Sequence, residues 1–306
     1  MDLQFDTDGV PFVAWGEHKI RLERTATTNP EYIQKAEREL RETPINVKNG
    51  LAELRLLLQE ETNLHVPLDN DEFLMKFLRP SKFYAESAFK RIVAYYKFRR
   101  QHDDYCKDLT PNSVRSAFDH SIISILSPRD QHGRRIMVVE SGDRWNPREV
   151  PLKEVFRGVQ MGLESAMAEP PTQINGVIVI MDMKGLSFTH VMQFTPAFAK
   201  MVVDWIQDCI PIRLKAVHIV NQPYIFNMLF AIFKPFLREK LRSRIFFHGF
   251  NQASLLKHVD PVALRKRHGG LLPEPEVSGP VLWKMMHYYE DNFKVTNSYG
   301  YVSKCK

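Results

Sequence analysis

Cysteine is scarce: only Cys106, Cys209 and Cys305 occur in 306 residues, far apart and odd in number. That excludes a disulfide framework and a zinc-binding pair of cysteine dyads, and it suggests a reducing compartment. Long apolar runs are missing too; the longest covers about ten residues, roughly half of a bilayer-spanning helix. The N-terminus, MDLQFDTDGVPF, has no basic segment followed by an apolar one and does not read as a secretory signal. A cytoplasmic protein is the expectation, with any membrane contact peripheral.

Catalytic motifs are equally wanting. There is no G-x-G-x-x-G after a strand, no G-x-x-x-x-G-K-[ST], no G-x-S-x-G and no H-E-x-x-H. Cys209 lies too close to Arg213 for a phosphatase-type anion loop. The histidines are scattered along the chain, and His218 and His248 read as satisfied structural residues. Asp182 follows the run VIVIM, where α/β enzymes place acids, but the sequence names no partner base or metal cluster for it; it reads as a loop-capping carboxylate. The expectation is a protein without enzymatic activity and without a metal.

Positive charge is in excess. A formal charge of +6 and a pI near 9.1 favour anionic partners, membrane or nucleic acid, without choosing between them.

Periodicity divides the chain. Residues 1–28 have no clear period and read as an arm that packs Phe12, Val13 and Trp15 on the body. Residues 29–104 read as a helical domain. Asn29-Pro30-Glu31 caps a first helix, and Thr43-Pro44 ends it. Leu51, Leu54 and Leu58 mark a second, Asp69-Asn70-Asp71 starts a third, and a fourth runs from about Ala85 to Arg100. From 105 to 275 the pattern becomes α/β. Ile122–Leu126 and Arg135–Val139 form a hairpin, Pro151–Met167 a helix, and VIVIM (177–181) and AVHIV (216–220) are strands apolar enough to be covered on both faces. A helix over Val281–Phe293 and a tail close the chain, in 276–306. The fold class is α/β, with a mainly parallel sheet behind a helical N-terminal domain.

One stretch stands out. Residues 221–251 read NQPYIFNMLFAIFKPFLREKLRSRIFFHGFN. Its first half, Tyr224–Phe233, is apolar nearly all round, as a core helix or a lid would be. Pro235 separates it from a basic half. On an ideal helix Leu237, Leu241 and Ile245 form a stripe with Lys240 and Arg244 on one margin and Arg238 and Arg242 on the other. That pattern fits an interfacial helix or an ordinary surface helix equally. The run Arg265-Lys266-Arg267-His268 reads as a solvated helix end.

The region from NGVIVIMDMKG through FFHGFN, with DEFLMKFLRPSKFYAESAFKRIVAYYKFR upstream, resembles the CRAL-TRIO lipid-transfer family, specifically its tocopherol-transfer and clavesin branch. The resemblance covers roughly residues 30–275. It implies a lipid-binding domain whose sheet is the floor of a cage, with a mobile helical gate at about 222–244 closing over one hydrophobic lipid: tocopherol, a retinoid, a carotenoid or a similar isoprenoid. It implies a pocket lined by Phe156, Val159, Leu163, Val177, Trp205, Ile206, Val217, Ile225 and Leu229. It also implies phosphoinositide binding by Arg79, Arg213, Lys215, Lys240 and Arg244 at endosomal or plasma membranes, with transient membrane contact and no role for nucleic acid. Val159 and Leu163 stand where tocopherol transfer protein has serines, and Trp205 stands where a smaller aliphatic residue is found. A phosphoinositide-sensing module without cargo is the competing expectation.

Overall fold

The computed structural model describes residues 2–7, 9–15, 17–273 and 278–302; the side chains of Trp15 and Ser278, and the tail beyond 302 with Cys305, lie outside the described residues.

The arm is a three-stranded antiparallel meander, β1 (Leu3–Phe5), β2 (Pro11–Trp15) and β3 (His18–Ile20). Phe12 and Val13, adjacent in the chain, are both buried, and Val13 packs with Ile20, Leu22, Val281 and Met285 in one small core.

The helical part follows as α1 (Pro30–Leu40), α2 (Pro44–Glu60), the two-residue β4 (Leu64–His65), α3 (Asp71–Leu78) and α4 (Ala85–Gln101). Asn29 caps α1 through Glu31 N–H, as expected. Thr43-Pro44, expected to end the first helix, also starts the second: the Thr43 hydroxyl accepts from Asn46 N–H, with Pro44 in the first turn. A cap and an N1 proline belong to the helix they precede. Leu54, Leu58, Phe77, Leu78 and Ile92 make the core of α2–α4. Helix α1 leans the other way, packing Ala36 and Leu40 on Ile174.

After α5 (Asp103–Cys106) and α6 (Arg115–Asp119) comes the main sheet: β5 (Ile123–Ile125), β6 (Arg135–Glu140), β7 (Val177–Asp182), β8 (Leu214–Val220) and β9 (Ile245–Gly249), in that spatial order. Strands β5 and β6 pair antiparallel; β6 to β9 are parallel. The crossovers carry α7 (Leu152–Met167), α8 (Pro170–Asn175), α9 (Phe188–Val191), α10 (Pro196–Asp204), a π-helical turn Trp205–Cys209, α11 (Phe226–Phe233) and α12 (Glu239–Arg242). On one face Ile136, Val138, Ile178, Ile180 and Ala216 pack against Leu255 of α13 (Gln252–Leu256) and against Val259, Ala263 and Leu264.

Three expectations change. Residues 237–245 are not one amphipathic helix. Leu237 is extended, only Glu239–Arg242 is helical, and Ile245 opens β9, so the basic side chains diverge instead of lining a stripe. Parallel pairing to β8 claims Ile245–Gly249 and overrides the local period. The run Arg265–His268 is not solvated. Arg265 and His268 are buried, Arg265 donates to Ser124 Oγ at 3.1 Å, Arg267 pairs with Glu140, and His268 pairs with Asp182 at 3.0 Å. The last helix is two, α14 (Ser278–Tyr288) and α15 (Glu290–Asn297), broken at Tyr289. Beyond them β10 (Gly300–Tyr301) pairs antiparallel with β4.

Candidate functional site

The alternation of a strand divides the central residues of the sheet between two covers. Ile178 and Ile180 of β7 are fully buried against the α13 side. Val179 and Met181, on the opposite face, are only half-buried, as is Val217 of β8, which is in register with Val179. Strand β7 is interior, with β6 and β8 on its flanks. Its accessible side is nevertheless the one covered by α10 and α11, because Val179 belongs with Phe198, Val202 and Ile206, and Met181 and Val217 belong with Phe226 and Leu229. Apolar side chains in close-packed interiors lose nearly all exposure. Here the middle of a covered sheet keeps residual exposure at Val179, Met181 and Val217.

Aromatic contacts join wall to cover. Trp205 meets Phe156 edge-on at 5.2 Å, Phe156 meets Phe198 at 5.7 Å, Phe198 meets Phe194 at 5.9 Å, and Phe194 meets Phe233 of α11 at 5.8 Å. Helix α11 turns Phe226 and Leu229 inward and Met228 (52% exposed) outward, and Tyr224, in the turn just before it, is 90% exposed. Both ends of this segment are fastened. At its start Asn221 adopts a left-handed φ of 53° and donates its amide to Asp182 at 2.9 Å, while Gln222 accepts from Gly249 N–H at 2.9 Å. At its end the Arg238 N–H donates to Gln207 at 2.8 Å, Gln207 donates to Phe236 O at 3.3 Å, and the Arg238 guanidinium pairs with Asp208. Asp182 is thus the loop cap expected of it; it also accepts from Lys184 N–H at 3.0 Å. Burial works to raise its carboxyl, but hydrogen bonds from His268, Asn221 and Lys184 outweigh that and hold it below the ordinary range.

The residues expected to line a pocket fall into two groups. Val159, Ile206, Val217 and Ile225 are half-buried, whereas Phe156, Leu163, Val177, Trp205 and Leu229 are buried in the wall and cover. Val179, Met181, Phe198 and Val202 were missed. For the first two a signal existed: the period-2 alternation of VIVIM gives positions 179 and 181 the same face as 177.

The basic residues separate as well. Arg213 pairs with Glu39 of α1 at 2.6 Å, Lys215 lies 3.7 Å from the same carboxylate, and the Arg244 guanidinium donates to Leu214 O between them. Lys240 is exposed. Arg79 turns elsewhere, to Glu42 at 2.7 Å and Gln173 at 2.6 Å. Lys35 and Arg134, not singled out from sequence, act on Lys215 together with Arg213. Burial first, then Arg213, pushes the Lys215 amine down to about 8, against the pull of Glu39.

Comparison with known proteins matches residues 119–270 to the CRAL/TRIO domain. Clavesin-2 of Homo sapiens is 30% identical over 269 residues, 87% of this chain and 82% of the relative. Alpha-tocopherol transfer protein-like of Homo sapiens is 36% identical over 245 residues, 80% and 71% respectively. Clavesin-1 of Pongo abelii is 32% identical over 250 residues, 81% and 70%. The chain belongs to the CRAL-TRIO family. That family comprises lipid-binding and lipid-transfer proteins. The matched CRAL-TRIO interval contains the floor, the α10–α11 cover and both of its fastenings; Glu39, Lys35 and Arg79 lie outside it.

Reactive groups in this CRAL-TRIO chain are quiet. Burial above all raises the Cys106 thiol to about 11 and the Cys209 thiol to about 12, so neither is a thiolate near neutral pH. His218 is driven down to about 3 by burial, then by His248 and His258; it contacts His248 at 3.0 Å, and His248 contacts Ser254 at 2.9 Å. Both histidines hold structural positions, as the sequence suggested. Among the described residues no three histidine, cysteine or acidic side chains converge as a metal site, and no helix is long and apolar enough to cross a membrane.

Proposed function

We propose that this chain is a non-enzymatic carrier. It holds one hydrophobic lipid between the β7–β8 floor and the α10–α11 cover and delivers it to phosphoinositide-containing membranes. The observation that carries the reading is the residual exposure of Val179, Met181 and Val217 beneath a helical cover. An isoprenoid burying some 500 Å² there gains roughly 12 kcal/mol at about 25 cal/mol/Å². Such a ligand leaves into water slowly, so delivery needs a membrane acceptor and an open cover. The protein works in the cytoplasm and touches endosomal or plasma membranes only during delivery.

Helix α11 is the gate. Its inner face closes the site, and its outer face offers Met228 to lipid together with Tyr224 of the turn before it. The cations at Arg213, Lys215, Lys240 and Arg244 dock the protein on anionic headgroups, each worth about 1 kcal/mol near such a surface. Arg79 supports this face indirectly by tying α3 to Glu42 and to Gln173 of α8. On the wall, the Ser165 hydroxyl is spent on Met161 O at 3.0 Å, and positions 159 and 163 are aliphatic. These favour a cargo with few polar atoms over tocopherol.

The test has two arms. Mass spectrometry of extracts of the purified protein identifies co-purifying lipid, and a fluorescent isoprenoid reports transfer between vesicles. Saturable uptake, with transfer accelerated by phosphatidylinositol bisphosphate in the acceptor, supports the carrier. Vesicle binding without saturable uptake would instead identify a phosphoinositide-sensing module.

A further inference from the structure

Glu39 lies where several cations converge. It is the acceptor shared by Arg213, at 2.6 Å, and Lys215, at 3.7 Å. The second contact is an ion pair beyond hydrogen-bond length, and the half-buried Lys215 ammonium makes no hydrogen bond among the described residues. Arg134, close enough to act electrostatically on Lys35 and Lys215, turns its buried Nε toward Asp130 at 3.7 Å, and neither that Nε nor the facing Asp130 oxygen has a hydrogen-bond partner among the described residues. Lys35 lies one turn before Glu39 on α1 and, among the described residues, donates only to His132 O at 3.0 Å. Four cations against the two carboxylates of Glu39 and Asp130, clustered and partly dehydrated, are an arrangement that receives phosphate.

The ionisation of the cluster agrees. Burial works to raise the Glu39 carboxyl, yet the hydrogen bond from Arg213 and the charges of Lys215, Arg213 and Lys35 hold it below the ordinary carboxylate range. Burial lowers the Lys35 amine, and Arg134 and Arg213 add to that against the pull of Glu39. Glu39 serves Lys35, Arg213 and Lys215, which repel each other, while Asp130 faces Arg134.

We propose that Lys35, Arg134, Arg213 and Lys215 form a pocket for clustered phosphates, with Glu39 as its internal occupant that a polyphosphorylated headgroup displaces. This rests on the reading that the basic face meets phosphoinositides, and it adds two cations and a competitor to that face. A phosphomonoester carries about −1.5 to −2 charge and three acceptor oxygens against the single charge of a carboxylate, so exchange satisfies donors that Glu39 leaves unspent. The same chemistry accepts a lipid headgroup or a free inositol phosphate. Singly charged lipids do not bring enough acceptors to evict Glu39.

The experiment measures binding of the full chain to a soluble inositol trisphosphate by calorimetry, and to phosphatidylcholine vesicles containing phosphatidylinositol bisphosphate or phosphatidylserine by co-sedimentation. Glu39→Gln tightens binding to the trisphosphate and to the bisphosphate vesicles by about five-fold, the scale of one half-exposed ion pair, and Lys35→Met weakens both by a similar factor. If Arg213→Gln leaves bisphosphate binding untouched, the membrane-facing reading itself fails. If Arg213→Gln weakens binding while Glu39→Gln does not tighten it, that reading stands and the internal occupant is refuted. Tightening on phosphatidylserine vesicles to the same extent, with none for the soluble trisphosphate, reduces the effect to diffuse charge and overturns the pocket. Should Glu39→Gln melt early, Lys35→Met decides: a mere α1 anchor predicts unchanged trisphosphate affinity, and the pocket predicts its loss.

Discussion

The backbone N–H of Arg238 donates to the side chain of Gln207 at 2.8 Å, joining the far end of the α11 segment to the π-helical turn that carries Trp205 and Ile206. That turn therefore packs Ile206 with Val179 of the floor on one side and holds the end of the α11 segment on the other. Asp208 adds an ion pair to the same arginine. A π turn bulges a helix by one residue and commonly sits at functional positions. Here it lets the adjacent residues Ile206 and Gln207 meet the floor and the end of the α11 segment.

Loosening this fastening should open the gate without touching the core. One hydrogen bond is worth about 1 kcal/mol net, about five-fold in an opening equilibrium. Gln207→Ala, and separately Asp208→Asn, are expected to speed vesicle-to-vesicle transfer of a fluorescent isoprenoid by about that factor. The melting temperature of the body should stay close to that of the parent. A transfer rate equal to or slower than the parent's, with cargo still loaded, would show that the Gln207 contact does not limit opening.

Filling the space between floor and cover separates the pocket from the core. Val217→Trp places a large ring beneath α11. If the space is there, folding is preserved and cargo uptake falls to background; in a tightly packed site the same change costs about 1 to 3 kcal/mol. Ile178→Ala, on the opposite face of the same sheet, should cost about 2 to 5 kcal/mol in urea unfolding and leave the uptake stoichiometry intact. The reverse pattern would move the pocket to the α13 face.

These two residues also show how far sequence reading reaches. VIVIM and AVHIV are legible as strands covered on both faces, because their apolar runs lack the alternation of a half-wet sheet. Which face keeps residual exposure depends on how α10 and α11 seat, and that is a long-range packing outcome with no local signature. The same limit explains residues 237–245. Their helical period is genuine in the sequence, but pairing of Ile245–Gly249 with β8 wins over it. The run Arg265–His268 reads as solvated only until Glu140 and Asp182, more than a hundred and about eighty residues earlier, supply buried acids. Charged residues enter a core when paired, and pairing across such separations is invisible to composition.

The basic face should titrate. Burial, and then Arg213, bring the Lys215 amine down to about 8. A lysine so depressed is charged below that value and neutral above it, so anion affinity is full near neutral pH and declines as pH rises through it. Bound phosphate stabilises the ammonium and moves the midpoint upward. Binding to phosphatidylinositol bisphosphate vesicles is expected to fall by about five-fold between about pH 7 and 9, the contribution of one cation near an anionic surface. Lys215→Arg keeps the charge throughout and should flatten the profile. A profile of unchanged slope in that variant would assign the titration to another group.

The outer face of α11 offers a last discrimination, between docking and delivery. Met228 is exposed and lies one turn beyond Tyr224, on the side of the helix opposite Phe226 and Leu229. A carboxylate at that position opposes insertion into an acyl boundary and also sits close to anionic headgroups. It does not touch Arg213 or Lys215, which lie at the other end of β8 from the start of the gate. Met228→Glu should therefore slow transfer by about ten-fold or more, since one buried side chain of this size is worth about 1.5 to 3 kcal/mol. Binding of a soluble inositol trisphosphate should be unchanged, because that ligand has no acyl boundary to enter. If transfer proceeds at the parental rate while binding is intact, α11 does not insert, and cargo leaves by another edge of the cover.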